Sequence, residues 1–152
     1  MPRATWVIEV DWNNDGDFLD TSEDVTLDTM QIEFALGRDY ASQLTGRSTP
    51  GRCNILLDNK TNVYSPFNSA GALYGNLLPG RKVRIRSTAP SAATLWTGFL
   101  DAIEPVARLG PYKTALLKAS GPLMKLAGKK VWPAGSGGAL TGTLIGIVLD
   151  EA

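Results

Sequence analysis

The strongest constraint on the fold is an alternation of apolar and polar residues that recurs along the chain. Cys53, Ile55 and Leu57 share one face at period two, and Val83 and Ile85 alternate with basic residues. This pattern is typical of half-buried β-strands. The same alternation predicts further strands over residues 4–11, 30–36, 95–103 and 112–119.

The predicted strands indicate a mainly β fold, a small antiparallel barrel or strongly bent sheet. In the second strand we expect Ile32, Phe34 and Leu36 to point inward. Gly98 predicts a bulge or bend, and Pro105 is expected to end its strand. Cys53 alternates with core residues, so we interpret it as a core side chain rather than a reactive thiol.

The chain divides into a predicted barrel domain and a C-terminal extension. The barrel domain covers residues 1–120, with long inserted loops at 37–52 and 58–80. Residues 121–152 form a helical extension or the start of a further domain, with a short helix after Pro122. A linker at 131–138 precedes a second predicted helix at 141–152, whose wide apolar surface needs a partner.

An acidic loop follows the first strand, and its spacing resembles the first half of a calcium-binding loop. Side-chain oxygens at alternate positions precede Gly16, which permits a sharp turn. The candidate calcium ligands are Asp11, Asn13, Asp15, Asp17 and Asp20. The twelfth position is Ser22 rather than glutamate, although Asp20 or Glu23 could close the site. The alternative is a tight Asn/Asp/Gly turn without metal.

Composition narrows the possible chemistry. The chain has no histidine and one cysteine, which removes histidine-based triads and the usual zinc ligand sets. No phosphate-binding glycine loop precedes a helix, and the spacing of the carboxylates does not favour a glycosidase pair. We therefore expect no catalytic residues and no enzyme activity. We also expect no signal peptide and no membrane span.

A predicted strand with basic side chains is followed in sequence by an aromatic residue. Arg81, Lys82, Arg84 and Arg86 precede Trp96, and such a combination can bind a polyanion. A polar outer strand face is the favoured alternative. Because 15 basic residues balance 15 acidic ones, we expect no specific binding of nucleic acid.

A series of short motifs in fixed order resembles the N-terminal region of tail-tip or baseplate-hub proteins of tailed bacteriophages and prophages. The motifs are residues 37–40 (GRDY), 45–52 (TGRSTPGR), 57–59 (LDN), 64–68 (YSPFN), 73–80 (LYGNLLPG) and 95–101 (LWTGFLD). The resemblance implies a split barrel like that of tail-tube proteins. It also implies a virion structural protein made in the host cytoplasm and located in the tail. The family proteins are usually much longer than this chain.

The resemblance further implies an oligomer, a threefold or sixfold ring, at the distal end of the tail tube. The implied partners are copies of the chain and other tail proteins of the tail-tube, distal-tail or tape-measure type. The candidate subunit-interface residues are Arg38, Tyr40, Arg47, Tyr64, Phe67, Leu73, Tyr74, Leu77 and Leu78. The rival interpretation of the sequence is an autonomous calcium-dependent carbohydrate-binding module, with exposed Trp12, Tyr64 or Trp96 stacking on a sugar.

Overall fold

The structure is a computed structural model that describes residues 5–37, 49–106 and 112–126. Six strands and one short helix form its regular structure. They are β1 Thr5–Val10, β2 Thr29–Ala35, β3 Arg52–Asp58, β4 Lys82–Ala89, β5 Ala93–Val106, β6 Thr114–Ser120 and α1 Leu123–Leu126. The described part of the predicted short helix after Pro122 is a single turn.

The six strands form one antiparallel sheet in the order β1-β4-β5-β6-β3-β2. The sheet curls into a half-barrel, which confirms the predicted mainly β split barrel. Its first and last strands approach each other: the ring centroids of Trp6 on β1 and Phe34 on β2 lie 5.9 Å apart. Side chains, rather than a backbone ladder, span this gap between the two edges.

A short return segment covers the outer edge of β1. Val10 N–H donates to the Glu23 carbonyl at 2.8 Å, and Val25 N–H donates to the Ile8 carbonyl at 2.9 Å. Between them, Glu9 and Asp24 form an antiparallel bridge. The return segment, residues 23–25, therefore pairs with the Val10 N–H and the Ile8 carbonyl, and the Thr26 hydroxyl accepts from the Ile8 N–H at 2.9 Å, so these groups of the edge are satisfied.

The core follows the predicted alternation closely. Cys53, Ile55 and Leu57 of β3 are buried, as are Val83 and Ile85 of β4. β6 alternates in the same way, with Ala115, Leu117 and Ala119 buried. The predicted inward position of Leu36 is wrong: β2 ends at Ala35, so Leu36 leaves the pleat and is exposed.

Strand β5 differs from the sequence-based prediction at two points. It continues through Pro105 to Val106, whereas Pro105 was expected to end it. β4 pairs only with the half of β5 between Ala93 and Phe99, so the missing N–H of Pro105 disrupts no ladder on that side. The register of β5 shifts at two places, at Leu95 on the β4 side and between Leu100 and Ala102 on the β6 side, so the irregularities lie on either side of Gly98.

Some sequence-based predictions fall outside the described residues. These are most of the 37–52 loop, the linker at 131–138 and the helix at 141–152. The base of the first loop is described, and there Thr49 N–H donates to the Gly37 carbonyl at 2.9 Å. Within the described part of the chain, no helix is long and apolar enough to cross a membrane.

Gly98 allows the indole of Trp96 to lie flat against the sheet. A Cβ atom at position 98 would overlap both the Trp96 ring and the backbone carbonyl oxygen of Ser120 on β6. A glycine is therefore required by close packing at this position, and not by a left-handed backbone.

The free thiol of Cys53 is buried among core side chains. Burial disfavours the thiolate and raises the pKa of Cys53 from 9.0 to about 12. The thiol is therefore a neutral core group in the folded chain.

We expect Gly98→Ala to lower the free energy of unfolding by about 2–3 kcal/mol, since an added methyl group must displace either Trp96 or the β6 backbone. Urea unfolding followed by tryptophan fluorescence measures this loss. The control is Thr97→Ala, an exposed neighbour on the same strand, with an expected change of less than about 1 kcal/mol. Equal losses in the two variants would show that the packing at Gly98 is not tight.

We expect the free energy of unfolding of the wild type to fall more steeply with rising pH than that of Cys53→Ala. Above about pH 9 the thiol ionises in the unfolded chain, whereas the folded thiol stays protonated up to about pH 12. Between about pH 8 and pH 10.5 the difference between the two proteins should shrink by about 1–2 kcal/mol. Parallel pH profiles in urea unfolding would contradict a buried neutral thiol.

Candidate metal centre and aromatic loop

The acidic loop, residues 11–24, folds around the carboxylate of Asp11. Its Oδ1 accepts from Asn14 N–H at 2.6 Å, and its Oδ2 accepts from Gly16 N–H at 3.1 Å. Asn14 and Gly16 have positive φ angles of 64° and 94°, which glycine and asparagine tolerate best. The loop therefore closes tightly over a buried carboxylate at the end of β1.

Three carboxylates converge inside this loop. Asp11, Asp15 and Glu23 each offer an oxygen, and these oxygens all lie within 4.8 Å of one another. Asp11 and Glu23 are buried, whereas Asp15 is exposed. Oxygen ligands of this type suit a hard divalent cation such as Ca²⁺.

Glu23 is the unusual member of the cluster. Its side chain is only 1% exposed, and its Oε1 has no hydrogen-bond partner among the described residues. Its Oε2 accepts from Asp20 N–H at 3.1 Å. Burial raises the pKa of Glu23, and the charges of Asp11, Asp20 and Asp15 raise it further, against the lowering effect of the Asp20 hydrogen bond.

The structure brings together two of the predicted calcium ligands, Asp11 and Asp15. Asp17 and Asp20 are not in the cluster, because the Asp17 carboxylate accepts from Leu19 N–H and the Asp20 carboxylate accepts from the Asn13 amide. The Asn13 amide also donates to Asp15 at 2.8 Å, so it positions a carboxylate of the cluster.

Glu23 is the third member of the cluster in place of Asp17 and Asp20. It lies outside the first half of the calcium-loop pattern. The signal that points to it is an acidic residue one place after the expected twelfth position.

The predicted basic strand is largely engaged within the chain. Arg84 and Arg86 both contact the buried carboxylate of Glu9, at 2.8 Å and 2.9 Å. Burial acts to raise the pKa of Glu9, but hydrogen bonds from Arg86 and Arg84 outweigh it, and the pKa lies below its ordinary value. Phe18 of the acidic loop covers Arg84, whose guanidinium carbon lies 4.1 Å from the ring centroid. Polyanion binding by this strand stays a prediction.

Residues 59–81, here called the aromatic loop, connect β3 to β4 through a chain of turns. Five N–H groups, spaced three residues apart, each donate to the carbonyl three residues earlier, at N···O distances of 2.9–3.2 Å. The donors are Asn62, Ser65, Asn68, Gly71 and Tyr74. The loop therefore satisfies much of its own backbone without forming a helix or a strand.

Asn59 and Tyr64 fix the start of the aromatic loop to the barrel. The buried Asn59 side chain accepts from Tyr64 N–H at 3.0 Å and donates to Ser65 at 3.1 Å. The Tyr64 hydroxyl donates to the Asp28 carboxylate, and its ring lies 6.2 Å from that of Trp12. Asn59 acts here as more than the turn residue that its sequence position suggests.

The predicted interface residues fall into three groups in the structure. Tyr64, Leu73 and Leu77 are buried in the core of this chain and are used by its own packing. The exposed members are Phe67, Tyr74 and Leu78. The remaining members, Arg38, Tyr40 and Arg47, lie outside the described residues. The interface prediction for the aromatic loop therefore narrows to its three exposed side chains.

The aromatic side chains expected to stack on a sugar are not accessible. Trp12, Tyr64 and Trp96 are all buried. The expectation that they are exposed is wrong, because Trp12 and Tyr64 pack on each other and Trp96 fills the space above Gly98. None of the three can offer a stacking surface to a carbohydrate or a nucleobase in this conformation.

No protein-family model matches the chain, and no curated protein matches it significantly.

We expect Tyr64→Phe to lower the free energy of unfolding by about 1–2 kcal/mol, since it removes the hydrogen bond to the charged Asp28. The matched control is Tyr74→Phe, the same change at an exposed position of the same loop, with an expected effect of less than about 0.5 kcal/mol. Urea unfolding measures both. Indistinguishable midpoints would mean that Tyr64 does not anchor the loop.

Proposed function

We propose that this chain is a non-catalytic structural component of the tail tip or baseplate hub of a tailed bacteriophage or prophage. In this role it assembles at the distal end of the tail tube through contacts with copies of itself and with other tail proteins. The proposal is supported by the ordered series of motifs that resembles those proteins. It is also supported by the small split barrel, the fold that the resemblance implies.

The observation that carries the proposal is the exposed face of the aromatic loop. Phe67, Tyr74 and Leu78 are 90%, 55% and 50% exposed, although the loop around them is anchored. Burying such side chains against a partner gains roughly 25 cal/mol per Å² of apolar surface. Since hydrogen-bonded turns already hold the backbone, little ordering entropy would oppose the association.

A free sheet edge gives a second surface for assembly. β2 pairs only with β3, so its other edge presents backbone groups without a neighbouring strand in the six-stranded sheet. Such an edge can accept a strand from another chain. Exposed Gln31 and Glu33 on β2 limit unspecific pairing, as polar side chains do on natural edges.

The test is the mass of the chain in solution, measured by light scattering over a range of concentrations. We expect the wild type to form a discrete trimer or hexamer, seen as a ring by electron microscopy. The variant Phe67→Ser/Tyr74→Ser/Leu78→Ser should be folded but monomeric, because it removes apolar surface only from the exposed face of the loop.

The control variant removes three exposed apolar side chains that lie outside both the aromatic loop and β2, as Leu19→Ser/Leu27→Ser/Tyr112→Ser. It should keep the mass of the wild type. A wild type that stays monomeric at all concentrations, or a loop variant that assembles as well as the control, would contradict the role given to the aromatic loop.

A further inference from the structure

The geometry points to a Ca²⁺-binding site formed by Asp11, Asp15 and Glu23, at the place where the acidic loop closes on the end of β1. The inference goes beyond the proposed function and does not depend on it. It starts from the unpartnered Oε1 of the buried Glu23, which belongs to the same group of carboxylates as Asp11 and Asp15.

Burying a carboxylate oxygen without a hydrogen-bond partner costs free energy. A second buried carboxylate in this chain, that of Glu9, shows how such a cost is compensated. Glu9 is 3% exposed, and its carboxylate receives hydrogen bonds from Arg84 and Arg86. Glu23 is buried as deeply, yet no lysine or arginine forms an ion pair with it among the described residues. Its charged neighbours are the carboxylates of Asp11, Asp15 and Asp20. A bound cation supplies the positive charge that Arg84 and Arg86 supply to Glu9.

The spacing of the oxygens fits one ion. Protein oxygens bind Ca²⁺ at about 2.4 Å, so two ligands of the same ion lie at most about 4.8 Å apart. The three carboxylates meet this limit pairwise. The donor set is made of hard anionic oxygens, which favours Ca²⁺ over the softer transition metals.

The loop holds the ligands in place before the ion arrives. Backbone N–H groups of Asn14 and Gly16 fix Asp11, and the Asn13 amide fixes Asp15. Backbone pairing with Val10 and Ile8 holds the segment that carries Glu23. Because Asp15 is exposed, water can complete the coordination. With three protein carboxylates we expect a Kd of about 10⁻⁵–10⁻³ M, in the range of sensors and extracellular modules.

Titration calorimetry and thermal unfolding of the whole chain test the site with CaCl₂. We expect one Ca²⁺ per chain, and a rise in Tm of about 5–10 °C at roughly a hundredfold excess over Kd. Glu23→Gln and Asp15→Asn should each weaken binding at least about tenfold, since each removes one anionic ligand. MgCl₂ should give a smaller shift, because Mg²⁺ requires closer octahedral ligands and retains water.

Glu23→Gln should also change the Tm in opposite directions without and with calcium. In chelator, it should unfold at a temperature equal to or higher than the wild type, because it removes a buried charge that neighbouring carboxylates repel. With calcium, the order should reverse. A purely structural role of Glu23 predicts a lower Tm under both conditions, which would overturn the assignment.

Asp17→Asn is the matched control, because Asp17 belongs to the same loop but not to the cluster. It should bind Ca²⁺ within about threefold of the wild type. Asp15→Asn keeps the test decisive if Glu23→Gln does not fold, since Asp15 is exposed. The site is refuted if CaCl₂ produces neither heat nor a Tm shift in the wild type, or if Asp15→Asn responds as the wild type does.

Discussion

The pairing of residues 23–25 with the outer edge of β1 is the constraint on which the rest of this structure depends. Two backbone hydrogen bonds, from Val10 to Glu23 and from Val25 to Ile8, bring the chain back beside its first strand. The return covers an edge of the split barrel. It also places the Glu23 carboxylate close to that of Asp11, and it leads to Asp28, whose carboxylate accepts a hydrogen bond from the Tyr64 hydroxyl. Both candidate sites therefore rest on one short stretch of backbone pairing.

This pairing also creates an electrostatic conflict. Glu9 on β1 and Glu23 on the return segment are both buried, but their surroundings have opposite charge. Arginines hold the pKa of Glu9 down despite its burial, whereas burial and other carboxylates drive the pKa of Glu23 up. Removing a carboxylate from water is unfavourable unless a cation or hydrogen-bond donors replace the water. The fold provides such groups for Glu9 from the neighbouring strand β4, and at Glu23 it provides a cluster of possible metal ligands.

The sequence predicts the strands well because their signal is local. Alternation places Cys53, Ile55 and Leu57 in the core without knowledge of any partner strand, and the structure confirms it. The prediction that β5 ends at Pro105 is wrong because the proline is tolerated where β4 does not pair with β5, and this is a property of the sheet and not of the local sequence. Glu23 shows the same limit. The calcium-loop pattern identifies Asp11 and Asp15, but the third carboxylate is set by pairing across the loop.

The aromatic loop shows why composition alone cannot separate core from surface. Tyr64 and Tyr74 have the same side chain and lie ten residues apart in one chain of turns, yet the first is buried and the second is exposed. Long-range partners decide the difference: Trp12 and Asp28 lie beside Tyr64. Once that anchor holds the loop, the exposed side chains of Phe67 and Tyr74 cannot move into the core without breaking it. Their apolar surface then stays in water unless another chain covers it, which is the role that the proposed assembly gives to these side chains.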